Sequence, residues 1–422
     1  MRLAIALIAV AAAACVPPSV APPFGGAAGG GARDTECLLA TGDAPPSTSR
    51  PTRVTIGLLE PADPSHAPVP QSDGERVVFA HLYEPLVRVN CDGRVVPALA
   101  ASWERHDAGR RWTFRLREDA QFWDGAPVTA QDVVFGKSGS GFTWSATESR
   151  AVTVLLGRET DDVPAFLADP ALAVSKPAPD GGWPIGTGRY WVTSANTTER
   201  EIVAPGPSGD SLVFRIGAGG AGDARDLLDA GVDLLLTRDR ALRDYAATQS
   251  RFVTVALPWD RAYVFVTPEP GGTRFDGLED AVRGFARRAE APFWWLNLRP
   301  CRLSSGESPP PPAANAPRRI VYPRTDPAAR ELAGRIAALT RGVATARSAT
   351  DFASGLAAGR DWGYIVALPR VVADPCRAGR DLLPTWDATI TALVDTRAEA
   401  IIRNGGARWS VDRAGVVTIP SP

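Results

Sequence analysis

Residues 82–135 read LYEPLVRVNCDGRVVPALAASWERHDAGRRWTFRLREDAQFWDGAPVTAQDVVF, and the order of elements in this stretch decides the fold. Between Arg111 and Arg117, apolar Trp112, Phe114 and Leu116 alternate with Arg111, Thr113, Arg115 and Arg117. A period of two sends successive side chains to opposite faces, so this is a strand with one buried and one wet face. Asp124-Gly125 supplies a turn in which glycine adopts positive φ without steric cost. Thr129, with Asp132 three residues on, is a variant of the capping box and opens a helix through Val133, Val134 and Phe135. The stretch runs strand, tight turn, helix.

The same elements alternate on either side of it. The run VTIGLL from Val54 suits a central strand, and residues 75–81 form a helical turn leading into the quoted stretch. Beyond Phe135 the pattern loosens until a strand at 152–156, and LADPALAV and WPIGTGRYWV (183–192) follow. Strands are expected at 201–204, 212–216, 252–257 and 262–266, with helices at 223–230 and 276–290 and a strand opening at Gly231-Val232-Asp233. A proline-rich break, ESPPPPAANAP (307–317), precedes a strand at 319–322. Thr325-Asp326-Pro327 then caps a helix with Leu332, Ile336 and Leu339 on one face. A buried strand at 363–368, a turn at Asp374-Pro375-Cys376 and a closing β tail complete the chain. Strands and helices alternating at this spacing predict an α/β fold.

A chain of 422 residues that is 45% hydrophobic has material for two or three domain-sized units. Its formal charge of -1 gives no net field to draw nucleic acid or anionic lipid, so function must come from a local site. The opening MRLAIALIAVAAAAC is too short to span a bilayer and reads as an export signal over residues 1–15. Small residues before Cys15 make that cysteine the expected lipid-bearing first residue of the mature chain; ordinary signal cleavage nearby is the other reading. Residues 16–51, rich in Pro, Gly, Ala and Ser, are expected to be a tether. Cys37, Cys91, Cys301 and Cys376 then remain, an even number with three possible connectivities; Cys37–Cys91 with Cys301–Cys376 would tie loops within each half, and free buried thiols for some of them are the other reading.

No catalytic or metal constellation emerges. His66, His81 and His106 have neither triad nor metal spacing and are expected at surface or turn positions. There is no G-x-S-x-G, and GKSGSG (136–141) lacks the Walker A lysine position. Gly217, Gly219 and Gly222 satisfy G-x-G-x-x-G, with Asp239 downstream. No opening βαβ unit precedes them, so a flexible loop is the expected reading. No cofactor and no metal are called for.

The spelling itself adds a resemblance. Tyr83-Glu84-Pro85-Leu86, Asp92-Gly93, Pro97-Ala98-Leu99-Ala100, Trp103, the strand from Trp112 to Arg117, Phe122, Asp124-Gly125 and Thr129-Ala130-Gln131-Asp132-Val133 occur in one order. That series resembles the family 5 solute-binding proteins of bacterial ABC transporters, the peptide and nickel binders. Gly186-Thr187-Gly188-Arg189-Tyr190 resembles the family's GTGPY box, with Arg189 where proline is usual. The resemblance implies an α/β, bilobal periplasmic-binding-protein-like fold (type II, cluster C-like). The chain between Phe135 and Gly186 is short for the family, which implies a reduced extra subdomain. In domain terms it implies lobe I over 52–205 and the rest of lobe I, the hinge and the start of lobe II over 206–317. Lobe II with closing strands returning to lobe I then occupies 318–422.

The function implied is non-enzymatic. An extracytoplasmic, lipid-anchored and monomeric protein captures a peptide-like or related small solute in an interlobe cleft and delivers it to an ABC permease in the membrane. No nucleic acid partner is implied, and the location is the periplasm or cell envelope. The alternative is the same fold reused as a non-transport receptor or scaffold for a membrane partner. A cleft of this kind uses flat aromatics for contact area and charged groups as anchors. The candidate ligand contacts are Trp183, Tyr190, Trp191, Trp259, Trp362 and Trp386, with Arg261 and Asp374 as anchors for a carboxylate or amine. For each tryptophan, core packing is the competing reading.

Overall fold

A computed structural model describes residues 38–39, 52–135, 137, 142–157, 159–217, 223–268, 277–288, 293–303, 317–324, 326–370, 374–382 and 386–420. All belong to one compact unit, Arg33–Pro422. The export signal, Cys15, Cys37, most of the expected tether, most of GKSGSG, Gly219, Gly222 and nearly all of the proline-rich break lie outside the described residues.

The described chain is organised on two six-stranded mixed sheets. The first, lobe I, has the order Glu201–Pro205, Ser211–Ile216, Arg53–Leu58, Leu234–Thr237, Glu399–Arg403, Phe252–Ala256. Its central strand, Arg53–Leu58, pairs in parallel with both neighbours. Such a strand is covered on both faces: Val54, Ile56 and Leu58 are buried in one apolar cluster, and Gly57, on the opposite face, lies against Leu227, Val232 and Leu235 of another. The second sheet, lobe II, has the order Trp294–Leu303, Ala388–Thr396, Arg261–Pro268, Gly363–Pro369, Arg319–Pro323, Val343–Arg347. Its Arg261–Pro268 strand sends Tyr263 and Phe265 into one apolar cluster and Val264 and Val266 into another, the alternation expected of a sheet with two covered faces.

The quoted stretch supplies two strands, Ala100–His106 and Arg111–Leu116, of a third, antiparallel sheet completed by Ala151–Leu155 and Thr143–Glu148. Trp112, Phe114 and Leu116 are buried, as the alternation requires, and the Trp112 indole N–H reaches the Gly109 and Thr160 carbonyls at 3.1 and 3.3 Å. Gly125 has φ +85°, and the capping box is present in both directions. The Thr129 N–H donates to Asp132 at 2.8 Å, while the Asp132 N–H donates to the Thr129 hydroxyl at 3.4 Å. The helix it opens is short, Ala130–Val134.

The glycine box has a direct steric reason. It runs against the carboxyl end of the helix Asp73–Leu82, where the Gly188 N–H donates to the Leu82 carbonyl at 2.9 Å. A Cβ on Gly186 or Gly188 would overlap backbone atoms of His81 and Leu82. Arg189 pairs with Asp210 at 3.1 Å, and the Tyr190 hydroxyl donates to the same carboxylate at 2.8 Å.

Several expectations need correction. Asp374-Pro375-Cys376 is not a free turn but the start of a helix, Pro375–Leu382, and the Asp374 carboxylate accepts from the Cys376 N–H at 3.0 Å. Aspartate before proline is a helix-start signal as readily as a turn. Leu38 and Leu39, inside the expected tether, belong to the fold: Leu38 bridges to Ser410, and the buried Leu39 donates its N–H to Trp409 at 2.8 Å. His81, expected at the surface, is 5% exposed. The strand Thr143–Glu148 is a further element, one with no buried side chain and so without the alternation that marks a strand in sequence. Cys301–Cys376 is a disulfide, joining the edge strand Trp294–Leu303 to the helix Pro375–Leu382. Cys91 is also disulfide-bonded.

Candidate functional site

The chain passes between the lobes twice, through residues 257–260 and 397–398. The two crossings hold each other: the Leu257 N–H donates to Ala398 at 3.1 Å, and the Asp260 N–H to Thr396 at 3.0 Å. The Arg397 guanidinium lies over the Trp259 ring, 4.5 Å from its centroid. Two adjacent, mutually bonded segments form a hinge about which the sheets can move.

Both sheets end their parallel strands at this hinge. In lobe I, Arg53–Leu58 and Leu234–Thr237 finish there, and the helices Asp73–Leu82 and Arg240–Ala247 begin there. In lobe II, Arg319–Pro323 and Gly363–Pro369 finish there, followed by the helices Pro327–Thr340 and Pro375–Leu382. Open α/β sheets collect ligands outside these carboxyl ends, where backbone no longer pairs with backbone and helix N-termini point outward.

The side chains gathered here are charged. Arg238, directly after its strand, makes a fork onto Asp73 at 2.7 and 2.9 Å and reaches Asp260 at 2.6 Å. Arg76 donates to Asp260 at 3.3 Å and to the Ala414 carbonyl at 3.0 Å. Thr396 donates its hydroxyl to Asp260 at 3.3 Å, and Arg370 pairs with Asp395 at 3.2 Å. The Tyr263 hydroxyl donates to Asp326, which also caps its helix by accepting from the Ala329 N–H at 2.9 Å. Burial by itself would raise the Asp73 carboxyl, but Arg238, then Arg261 and Arg76, hold it well below the usual carboxylate range. Burial opposes the charge on Arg238 and Arg261; Asp73 and Asp260 more than restore it for Arg238, and Tyr263, then Asp260 and Asp73, for Arg261.

A second set of contacts closes the lobes on each other. Phe166, from the lobe I helix Val163–Phe166, is 2% exposed and packs with Val264, Phe352, Tyr364 and Trp386 of lobe II. Beside it, Asp162 meets Arg377 at 2.6 Å. Burial raises the Asp162 carboxyl although Arg377 opposes the rise.

The expected contact residues separate into groups. Arg261 and Trp259 lie at the hinge itself. Trp183 and Tyr190 are 3% exposed within the lobe I core, where Trp183 meets Phe79 edge-on at 6.4 Å. Trp386 is 4% exposed and donates its indole N–H to Leu356 at 2.9 Å inside the lobe II cluster that Phe166 joins. Trp191 is half-buried and stacks on Trp123 at 6.2 Å, and Trp362 stands between Phe265 and Arg318. Asp374 is engaged in capping. Asp73, Arg238, Asp260, Asp162, Phe166 and Arg377 were not legible as a group. The available signal was a charged residue directly following a buried parallel strand, as Arg238 follows LLLT and Arg370 follows VALP.

A cavity of about 300 Å³ lies elsewhere, under the C-terminal hairpin between Phe79, Arg88, Asp412 and Ile419. Its walls all belong to lobe I, so lobe motion cannot enclose a ligand in it. At the hinge a void of about 10 Å³ lies beside Asp73, Arg238 and Asp260, room for a single water. Among the described residues, no group of three or more His, Cys, Asp or Glu is placed to hold a metal, and no helix is long and apolar enough to cross a membrane.

Residues 94–204 match the model of the bacterial extracellular solute-binding proteins, family 5, middle segment. The periplasmic murein peptide-binding protein MppA of Escherichia coli K12 is 39% identical over 95 residues, covering 20% of this chain and 18% of that protein. The periplasmic oligopeptide-binding protein OppA of the same organism is 46% identical over 67 residues, 16% of this chain and 11% of its own. The aligned stretches thus span less than a fifth of these curated relatives. Two solved structures align over most of both chains at 13% identity. AgaA of A. tumefaciens R10, solved with agropinic acid, has a TM-score of 0.55 with 88% and 99% coverage. DppA of Helicobacter pylori, solved with the peptide STSA, has a TM-score of 0.54 with 87% and 98% coverage. The fold is that of the bilobal periplasmic binding proteins.

Proposed function

We propose that this chain, a member of the family 5 extracellular solute-binding proteins, captures a peptide-like or related small solute between its lobes and delivers it to an ABC permease. The observation that carries this reading is the hinge. Two bonded crossings link two sheets, and both sheets direct the carboxyl ends of their parallel strands, with the charged groups that follow them, to the same place. Such an arrangement binds by closing, because a solute that touches both lobes favours the closed form by the difference in its affinity for the two forms. Covalent chemistry has no part in it. Arg261 and Trp259 are the contacts this reading favours, with Trp191, Trp362 and Asp374 as outer candidates. In the same reading the protein works outside the cytoplasm as a monomer, anchored through lipid on Cys15. Residues 16–51 serve as a tether that raises its local concentration at the permease.

Native mass spectrometry and calorimetry of the purified protein against peptide and metal-chelate libraries, with small-angle scattering on the same samples, test the proposal. Saturable binding accompanied by compaction is the expected outcome. No binding to any library member, with scattering unchanged throughout, would refute it.

A further inference from the structure

We infer that lobe I carries a second ligand site, in the cavity under the C-terminal hairpin. Its ligand is a free amino acid with an apolar side chain, whose ammonium meets Asp412 and whose carboxylate meets Arg88.

The hairpin pairs Ser410–Val411 with Val417–Thr418, and Asp412 opens the turn between them. Asp412 is partly exposed and lines the cavity, and its carboxylate accepts from the Val416 N–H at 2.8 Å. No cation among the described residues comes within ion-pair distance of it. Arg88, on the strand Val87–Val89, is exposed and makes no ion pair or side-chain hydrogen bond with any described residue, Asp412 included. Among the described residues that line the cavity, these two are the charged ones. Opposite charges thus border one space, each without an ion-pair partner.

Neighbouring charges do not fill that role. Arg76 is held by Asp260 and the Ala414 carbonyl, Arg94 pairs with Asp92 at 3.6 Å, and Arg413 is exposed next to Asp412 but does not line the cavity. Burial raises the Asp412 carboxyl against the Val416 N–H, Arg76, the Ala414 N–H and Arg88, so its charged form gains from a cation in contact. A guanidinium takes a carboxylate through two parallel N–H···O bonds, and a carboxylate takes an ammonium by charge-assisted bonds. A ligand carrying one of these charges alone would unbalance a site whose own two charges cancel, whereas a zwitterion supplies both partners and adds no net charge. Much of the remaining wall is apolar, with Phe79, Val89, Val416 and Ile419, and suits a side chain of the same kind. A volume of about 300 Å³ is at the small end of ligand sites, the scale of one amino acid.

The test uses the full mature chain with free L-leucine, L-methionine and L-phenylalanine, the N-acetyl form of each, which lacks the ammonium, and the amide of each, which lacks the carboxylate. Calorimetry and native mass spectrometry read the binding. At least one free amino acid should bind saturably, with its acetyl and amide forms each about tenfold weaker or more. Asp412→Asn keeps an acceptor for the Val416 N–H; it should bring the free amino acid down to the acetyl form and leave the preference over the amide. Arg88→Gln should do the reverse, with urea midpoints showing that both variants are folded. No binding of any free amino acid by the wild-type chain, or binding no tighter than that of either derivative, overturns the zwitterion site. Selectivity that stays intact in a folded variant overturns the assignment of that residue. Every wall of the cavity belongs to lobe I, so these outcomes leave capture between the lobes to its own test.

Discussion

Acid should weaken this protein through one histidine, and the amount follows from its surroundings. The His81 ring is buried on the helix Asp73–Leu82, edge-on to Tyr190 and Phe214 at 6.1 and 6.2 Å. Its Nδ1 donates to the Val77 carbonyl at 2.7 Å, so Nε2 carries the lone pair and accepts from the Ile419 N–H at 3.4 Å. Protonating Nε2 would break that bond and place a charge among rings. Burial accordingly pushes the imidazole down to about 4, against the backbone bond to Val77, which favours the charged form. The unfolded chain takes up its proton near 6.5, so between 6.5 and about 4 the unfolded state binds more protons than the folded one. Stability is full above the unfolded value and falls as pH drops through this window. The total loss is about 3 kcal/mol, most of which has developed by pH 4.5.

Asp412 acts in the opposite sense, because burial raises its carboxyl to about 6, so the folded state gains its proton first and stability rises as pH falls through that value. The two effects overlap, and an absolute stability profile would conceal both. The informative measurement is the difference between wild type and His81→Gln in urea unfolding from pH 7.5 to 4.5, since glutamine does not titrate. The variant should be less stable at pH 7.5, and its deficit should shrink by roughly 2 to 3 kcal/mol on acidification. Parallel profiles would refute the reasoning, because they would mean that His81 titrates alike in both states.

Other changes test other joints of the structure. Phe166→Ala removes a side chain that lobe I buries in lobe II, and should weaken closure by roughly 3 kcal/mol. Small-angle scattering should then show a more open ligand-free protein, and an unchanged profile would mean that Phe166 does not hold the lobes. Arg377→Gln leaves the buried Asp162 without its cation and should open the lobes in the same assay; because burial already raises that carboxyl, the effect should diminish as acid protonates it. Reducing Cys301–Cys376, which are separated by 75 positions, should cost about 4 kcal/mol on chain-entropy grounds, read as a lower urea midpoint. Gly186→Ala should abolish or severely weaken folding, since the added Cβ meets the Leu82 carbonyl; a variant with wild-type melting behaviour would contradict the close approach.

The sequence by itself determined whatever depends on neighbours along the chain. Alternation at 111–117, the reciprocal Thr129 and Asp132 cap, the helix entered at Asp326-Pro327 and the glycine box all rest on residues within a few positions of one another. Their chemistry therefore reads directly from the letters. The order of strands and helices followed from the same local signals, and with it the α/β class. Only the tertiary structure decided which distant charges meet. Asp73 and Arg238 are 165 positions apart, and they share a salt bridge because two parallel strands end beside each other at the hinge. It alone separated Trp183 and Tyr190, sealed in a lobe core, from Arg261, half-buried at the crossing. Hydrophobicity and aromatic character are alike in a core and in a cleft. What distinguishes them is the packing of elements remote in sequence, which no local pattern encodes.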